Sequence, residues 1–500
     1  MTQESTWRCH SIFRGGRPKA MPTTWVLLTV SVLVPAAVGE SSARELPERP
    51  NVVILMTDDQ GHADLSICGS DRVETPVLDS LARQGAMFTD FYGASAVCSP
   101  SRASLLTGRS ALRTGVYSWL NTEQNMHLRI EEITYARILR DAGYDTAHVG
   151  KWHLGYALYD GVGEGPMAGQ GGFRLHGSTQ GPNPYDHGFD YWMATGNNAH
   201  PSHRNPENFV RNGQAVGKIE GYSSHIVIDE AIHWLQEHRD PANPFLLNIW
   251  FNEPHRSGGP AAPPEYEQRH ADSRLPGYYG SIEYLDKAVG KLMAKLEAMG
   301  ETENTLVVFT SDHGSYLEGS NRPFTGRKTN LWEGGIRVPG IFYWPAVIEP
   351  GMVVSEPAGM VDVLPTLCDI VGVDVPSDRT IDGMSILPLL EGGSTQRGTP
   401  LYWFYSPSRP VCVIRDGDWS LVADPTLDLP TQNWFEEEFI GDIKRTELTN
   451  FRLYNLRSDP RQQHDLSERR PRRFEAMKRT MLEMHAEIVA EAFDWREFEW

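Results

Sequence analysis

Cysteine is scarce in this chain: 5 in 500 residues, widely scattered, which excludes a disulfide framework and a C-x-x-C zinc module. Any important cysteine has to matter singly. Positive charge is also short, with 46 Lys+Arg against 65 Asp+Glu and a formal net charge of −19. The clustered basic surface that phosphate backbones require is missing, so nucleic acid is not an expected partner. Internal repeats and low-complexity tracts are absent, and beyond the N-terminal region no apolar run approaches the length of a bilayer span. What the chain has is core-forming material: 40% hydrophobic residues, including 18 Phe, 18 Tyr and 14 Trp, enough to bury a large core. Its length suits one large unit and one small one.

Arg8, Arg14, Arg17 and Lys19 precede an apolar run from Trp25 to Val38, followed by Gly39 and polar Glu40. This reads as a secretory signal peptide, 1–39, cleaved after Gly39. The run is too short for a membrane span and is broken by Pro35. Met1 and Met21 are both possible starts. The mature protein is expected to be exported, to the periplasm, a lumen or the medium, with no stable membrane anchor.

Four short apolar runs each end abruptly in polar residues. Val52 to Thr57 meets Asp58-Asp59-Gln60-Gly61; Thr146 to Val149 meets Gly150-Lys151-Trp152-His153; Pro244 to Phe251 meets Asn252-Glu253-Pro254-His255; and Thr305 to Ser311 meets Asp312-His313-Gly314. Such runs are the signature of strands buried on both faces of a parallel sheet. Helical patterns fall between them, at Thr75 to Gln84, Ile133 to Asp141, His225 to His238 and Tyr278 to Met299. Alternating strands and helices predict an α/β fold with a large, mostly parallel sheet, whose ligands sit beyond the carboxyl ends of the strands. Any one polar cluster could be a solvated turn; four together predict one crevice.

Gly161 to Pro206, rich in Gly, Pro, Asn and His, reads as a long surface excursion beside that crevice. Strand-like runs at Leu401 to Tyr405, Val411 to Ile414 and Trp419 to Val422, then a helix from about Arg470, predict a smaller antiparallel α+β domain. The expected division is a catalytic domain over 40–390 and a small C-terminal domain over 391–500.

Cys98-Ser99-Pro100-Ser101-Arg102 is the centre of the chemistry. Ser99 suits an N-cap and Pro100 a first helical position, predicting a helix from Ser101 to Thr107 that ends at Gly108, with Cys98 before its positive end. Such an end attracts tetrahedral anions. Asp58, Asp59 and Asp312 supply hard oxygens for Ca²⁺ or Mg²⁺, with His313 a possible nitrogen ligand. Lys151 and Lys328 supply point charges for an anion, and His153 and His255 are candidates for moving protons.

With these residues in view, the chain resembles the sulfatase family of the alkaline phosphatase superfamily. Cys98 to Arg102 followed by Ala103 to Gly108 matches the family's C-x-P-S-R signature. Similar stretches recur in order at Thr57 to Gly61, Gly150 to Gly155, Ser311 to Gly314, Gly326 to Pro339, Arg415 to Trp419 and Leu453 to Leu466. Within the family the chain looks closest to arylsulfatases of the A type and to N-acetylgalactosamine-6-sulfatases.

The resemblance implies an alkaline-phosphatase-like fold and hydrolysis of a sulfate ester, on a sulfated small molecule or glycan. It also implies a formylglycine made from Cys98 by a sulfatase-maturing enzyme, which would be a transient partner. Asp58, Asp59, Asp312, His313 and modified Cys98 should bind one Ca²⁺; some sulfatases carry Asn in place of His313. Lys151 and Lys328 should hold sulfate oxygens, Arg102 should brace the formylglycine, His153 should bond its hydroxyls, and His255 should protonate the leaving group. The alternatives are a phosphonate monoester or phosphodiester hydrolase on the same site, and a non-catalytic relative that binds sulfated glycans.

Other residues read as structural. His62, His148, His187, His200 and His203 lack a matched role, with His200 and His203 the best candidates for substrate-loop residues. Cys68, Cys368 and Cys412 are expected to be buried hydrophobes or at most one disulfide pair. Glu333 and Arg337 are expected to form an internal ion pair behind the Lys328 loop, and Glu436-Glu437-Glu438 a solvated face.

Overall fold

The computed structural model describes residues 47–120, 125–155, 182–432 and 435–498. The expected signal peptide lies outside them, as do residues 161–181 of the Gly161 to Pro206 excursion. Five parallel strands form the middle of the main sheet, in the order Thr305–Ser311, Asn51–Thr57, Phe245–Trp250, Asp145–Lys151 and Tyr191–Thr195. Ala86–Tyr92 and Met352–Val354 extend one side through the antiparallel strand Arg337–Tyr343. Two short antiparallel strands, Val210–Arg211 and Gln214–Ala215, close the other side.

The continuous apolar runs follow from burial on both faces. Side chains alternate along a strand, so Val52, Ile54 and Met56 enter one core while Val53 and Leu55 enter the other, all fully buried. Each such side chain contributes roughly 1.5–3 kcal/mol of transfer free energy. The helices Pro76–Gln84, Ser223–Glu237 and Pro276–Met299 cover one face. Cys98–Thr107, Tyr135–Asp141 and Val363–Val371 cover the other.

Parallel register fixes what happens at the strand ends. Thr57 pairs with Ser311, Met56 with Trp250, Gly150 with Trp250, and Lys151 with Thr195. The four polar clusters therefore leave the sheet at one level. The excursion expected from Gly161 onward is interrupted inside the described residues by the fully buried strand Tyr191–Thr195. Its reading as surface loop is thus too broad, because a short apolar run can be drawn into a sheet edge by tertiary pairing.

A second sheet follows, an antiparallel meander of Leu401–Phe404, Cys412–Asp416, Trp419–Pro425 and Leu448–Asn455, with the helix Pro471–Ala490 packed on it. It is tied to the main sheet by polar contacts: Trp403 Nε1 donates to the Gly93 carbonyl at 2.7 Å and Arg415 Nη2 to Asp90 Oδ1 at 2.8 Å. Cys68, Cys98, Cys368 and Cys412 are buried and free, so no disulfide joins them. Among the described residues no helix is long and apolar enough to cross a membrane.

Gly150 shows how tightly the strands approach beside the site. Its φ is +111°, and a Cβ there would lie 1.9 Å from the Trp250 carbonyl oxygen. Gly150→Ala is expected to cost about 2–4 kcal/mol, through strain and displacement of the neighbouring strand. A denaturation midpoint equal to that of the parent would refute this.

Candidate active site

Asp58 and Asp312 emerge side by side because their strands pair in register up to Thr57 and Ser311. The amide of Asp312 donates to the Thr57 carbonyl at 3.1 Å, and that of Asp59 to Asp312 Oδ1 at 3.2 Å. Three residues around the site, Asp59, His153 and Thr329, have positive φ of 68°, 54° and 75°. Non-glycine residues rarely adopt this conformation, and surrounding packing must hold it.

The helix carrying Cys98 begins earlier than its sequence suggests. It spans Cys98–Thr107, its N-cap is extended Val97, and Gly108 closes it at φ 68° as expected. Ser99 is not the cap, because its hydroxyl is taken by the Leu120 amide at 3.0 Å. The turn before the helix is fixed by Ser101, whose hydroxyl accepts from the Ser95 amide at 2.8 Å and lies 3.0 Å from the Ser95 carbonyl. Cys98 is therefore the first helical residue, buried at the positive end of the helix dipole.

Around its sulfur the structure gathers the expected groups. Cys98 Sγ lies 3.6 Å from Asp58 Oδ1, 3.4 Å from His313 Nε2 and 3.8 Å from Lys328 Nζ. Arg102, one helical turn on and fully buried, donates from Nη2 to Asp312 Oδ2 at 2.9 Å and sits 3.3 Å from Asp58 Oδ2. Its Nη1 donates to the Lys151 carbonyl at 2.9 Å. Lys151 Nζ pairs with Asp58 Oδ2, and Lys328 Nζ with Asp59 Oδ1 at 2.7 Å. His255 Nε2 is 3.7 Å from Asp59 Oδ2.

His153 and His313 each face a carbonyl with one ring nitrogen, and a carbonyl only accepts. His153 Nε2 donates to Leu120 at 2.9 Å, which makes Nδ1 the acceptor nitrogen. His313 Nδ1 donates to Gly314 at 2.9 Å, so Nε2 is the nitrogen that faces the carboxylates.

The protonation states follow from burial against charge. Burial pushes Asp58 up, but Lys151, His255, Arg102 and Lys328 outweigh it and hold the carboxyl well below its usual range. Asp59 is lowered in the same way, chiefly by Lys328. Asp312 goes the other way, raised by burial and by the neighbouring Asp58 charge. Burial pushes the Cys98 thiol up to about 12 despite Lys151 and Lys328, and pushes His255 down to about 4 against the pull of Asp59.

A cation site fits this donor set. Asp58, Asp59, Cys98 and His313 each offer one ligand atom, all within 4.8 Å of one another. Two ionised carboxylates and an imidazole lone pair suit a hard to borderline divalent ion. Asp312 stands beside the group, with one oxygen engaged by the Asp59 amide and the other by Arg102. Three carboxylates face three permanent cations here, Arg102, Lys151 and Lys328. A divalent ion would therefore leave net positive charge for an anion.

Some of the site was invisible in the sequence. Asn198 Oδ1 accepts from Lys151 Nζ at 3.0 Å, and the Asn198 carbonyl accepts from Asn208 Nδ2 at 2.9 Å. It sits in a polar tract with no periodicity, so nothing distinguished it from a loop asparagine. His148, unassigned from sequence, proves structural: its ring lies among Trp152, Phe189 and Trp250, and Nδ1 accepts from Asn248 Nδ2 at 2.9 Å. His203 holds the His255 carbonyl at 2.8 Å, behind the site rather than lining it.

Fold and site together fit a hydrolase for esters of a tetrahedral oxyanion, built on an alkaline-phosphatase-like sheet with the candidate groups at its strand ends. The chain belongs to the sulfatase family: residues 50–373 match the family described as Sulfatase, and the protein is a sulfatase enzyme. N-acetylgalactosamine-6-sulfatase of Canis lupus familiaris is 32% identical over 418 residues, covering 77% of this chain and 73% of that protein. Steryl-sulfatase of Mus musculus is 33% identical over 460 residues, covering 78% and 72%. The solved structure of Ps i-CgsB in complex with k-i-k-neocarrahexaose shares the fold with a TM-score of 0.71 at 24% identity, over 89% of this chain and 94% of that one.

Arg102→Met would strip the shared counter-ion from two buried carboxylates. The expected cost is about 3–5 kcal/mol of stability, together with loss of sulfatase activity. A variant that keeps both its denaturation midpoint and its turnover would contradict the central place given to this guanidinium.

Proposed function

We propose that this sulfatase acts on a sulfated carbohydrate, using a formylglycine made from Cys98 and one Ca²⁺ held by Asp58, Asp59, Asp312, His313 and the modified residue. The observation that carries the reading is the convergence of a buried cysteine at a helix N-terminus with three carboxylates and three cations at the ends of paired strands. A carbohydrate substrate is supported by the relative named N-acetylgalactosamine-6-sulfatase and by the oligosaccharide bound to Ps i-CgsB.

The side chains divide the work. Ca²⁺, when bound, would polarise sulfuryl oxygens as a Lewis acid, and the formylglycine would supply a hydroxyl nucleophile. Lys151 and Lys328, now paired with Asp58 and Asp59, hold the sulfuryl oxygens once those carboxylates are otherwise engaged. Arg102 braces the carboxylates and the Lys151 backbone, and so fixes where residue 98 points. His153 accepts a hydroxyl proton at Nδ1, since Nε2 is committed to Leu120. His255 delivers the proton to the leaving oxygen from Nε2. The working unit is 40–390 with the small unit 391–500 behind it, exported after loss of 1–39.

Cys98→Ala is expected to abolish sulfate release with the circular dichroism spectrum intact. The tryptic peptide from Gln84 to Arg102 of the native exported enzyme should carry the aldehyde mass. Turnover by the alanine variant, or a thiol mass in fully active enzyme, would overturn the mechanism.

His255 yields a separate expectation. Burial favours its neutral form and brings its pKa down to about 4, so the share of kcat/KM for a sugar sulfate that depends on proton delivery should fall as pH rises above about 4. His255→Ala should slow a sugar sulfate by about 100-fold or more while slowing an activated aryl sulfate much less. Equal losses on both substrates would remove His255 from proton delivery.

A further inference from the structure

Beneath the two loops that carry Asp59 and Lys328 lies a phenol for which the reaction has no assigned use. Tyr278 is buried in the first turn of the helix Pro276–Met299. Its hydroxyl lies 2.9 Å from the Asp59 carbonyl, 2.6 Å from Asp64 Oδ2 and 2.8 Å from Ser315 Oγ. Asp59 and Asp64 belong to the loop after the Asn51–Thr57 strand, and Ser315 to the loop after Thr305–Ser311. One hydroxyl thus joins both.

The two loops already lean on each other. The Ala63 amide donates to the Ser320 carbonyl at 2.8 Å, and a Cβ at Gly61 would meet that same oxygen at 2.2 Å. The Ser315 carbonyl accepts from the Lys328 amide at 3.0 Å, so the position of Ser315 is passed directly to the lysine that pairs with Asp59. On the other side, the bond to the Asp59 carbonyl holds a residue whose φ is 68°. A peptide in that conformation relaxes unless something outside it fixes its carbonyl.

Proton counting tells how the contact closes. The Asp59 carbonyl can only accept, and the phenol has a single proton to give. If that proton goes to Asp59, the close approach of Asp64 requires a proton on its carboxyl, and Ser315 can donate its own to the phenol oxygen. Burial pushes Asp64 up to about 7, so its carboxyl carries a proton part of the time near neutral pH. The phenol oxygen then gives one hydrogen bond and takes two, which fixes its orientation.

We propose that Tyr278 is a positioning residue for sulfate ester hydrolysis, its hydroxyl locking the Asp59 peptide and the Ser315–Lys328 segment into the relative geometry the reaction needs. This rests on the roles proposed above for Asp59 and Lys328. It touches neither substrate nor metal, and acts through those two residues.

The test is Tyr278→Phe in the full-length, matured enzyme, beside Asp59→Ala and the parent. The phenylalanine variant is expected to lose kcat by about tenfold or more with KM changed less than threefold, because displaced charges act mainly on the transition state. Calorimetric titration of the metal-stripped variant with Ca²⁺ should show affinity weakened by at least threefold. Ser315→Ala, which removes the contact to the phenol and the bond from the Leu317 amide but leaves the arm to Asp59, should lose kcat with Ca²⁺ affinity unchanged; it also covers the case in which Tyr278→Phe does not fold. If kcat and Ca²⁺ affinity of both variants stay within twofold of the parent while Asp59→Ala is inactive, the hydroxyl only stabilises the fold and the proposal fails. If Asp59→Ala keeps its activity, the failure lies instead in the role given to Asp59.

Discussion

Burying three carboxylates together is the constraint around which this molecule is organised. Asp58, Asp59 and Asp312 are all inaccessible to water, and an uncompensated charge in that setting would cost several kcal/mol. Arg102 resolves the problem for Asp58 and Asp312 at once, through one guanidinium that also holds the Lys151 carbonyl. A lysine could not do this, since it offers a single point of charge and no planar fork. The guanidinium is itself placed by the helix Cys98–Thr107, every residue of which is buried. Cys98 and the Arg102 counter-charge are therefore set by one rigid element.

The geometry around that knot is strained in places, and the strain is held from outside. Positive φ at Asp59, His153 and Thr329 is matched by contacts to Tyr278, Leu120 and the Ala96 carbonyl respectively. The Lys328 loop is closed from behind by glycine packing, where a Cβ on Gly314 would lie 2.0 Å from the Gly334 carbonyl oxygen. Farther out, the Glu333–Arg337 pair expected from sequence is present at 3.0 Å. Arg337 continues it to Asp90, which also takes Arg415 of the small sheet. A single chain of buried charges thus runs from Glu333, five residues beyond Lys328, to Arg415 of the small sheet.

Much of this was legible in residue order. The four apolar runs identified the central strands to within a residue or two, because strands buried on both faces are mainly hydrophobic and admit a polar residue only where it finds a partner, as His148 and Asn248 find each other. Reading the Gly161 to Pro206 tract as loop missed the strand Tyr191–Thr195, whose five residues carry too little pattern to be separated from their surroundings. Ser99 looked like a cap because serine commonly serves as one, yet its hydroxyl had a better partner in the Leu120 amide, which no local pattern reveals. Asn198 and Tyr278 stayed hidden for a related reason: an asparagine in a polar loop and a tyrosine on a helix look the same whether or not they meet a catalytic group.

By itself the sequence determined the fold class, the strand ends as the edge where polar clusters converge, and the kinds of residue gathered there, since hydrophobic periodicity and residue chemistry are properties of short stretches. Only the tertiary structure decided which oxygen faces which nitrogen. It paired Lys151 with Asp58 and Lys328 with Asp59, engaged Asp312 with Arg102 and the Asp59 amide, turned one ring nitrogen of His153 and of His313 to a carbonyl, and brought Tyr278 under two loops that lie far from it in the chain. Those outcomes depend on register between strands distant in sequence and on which buried polar atoms remain to be satisfied once the sheet has closed.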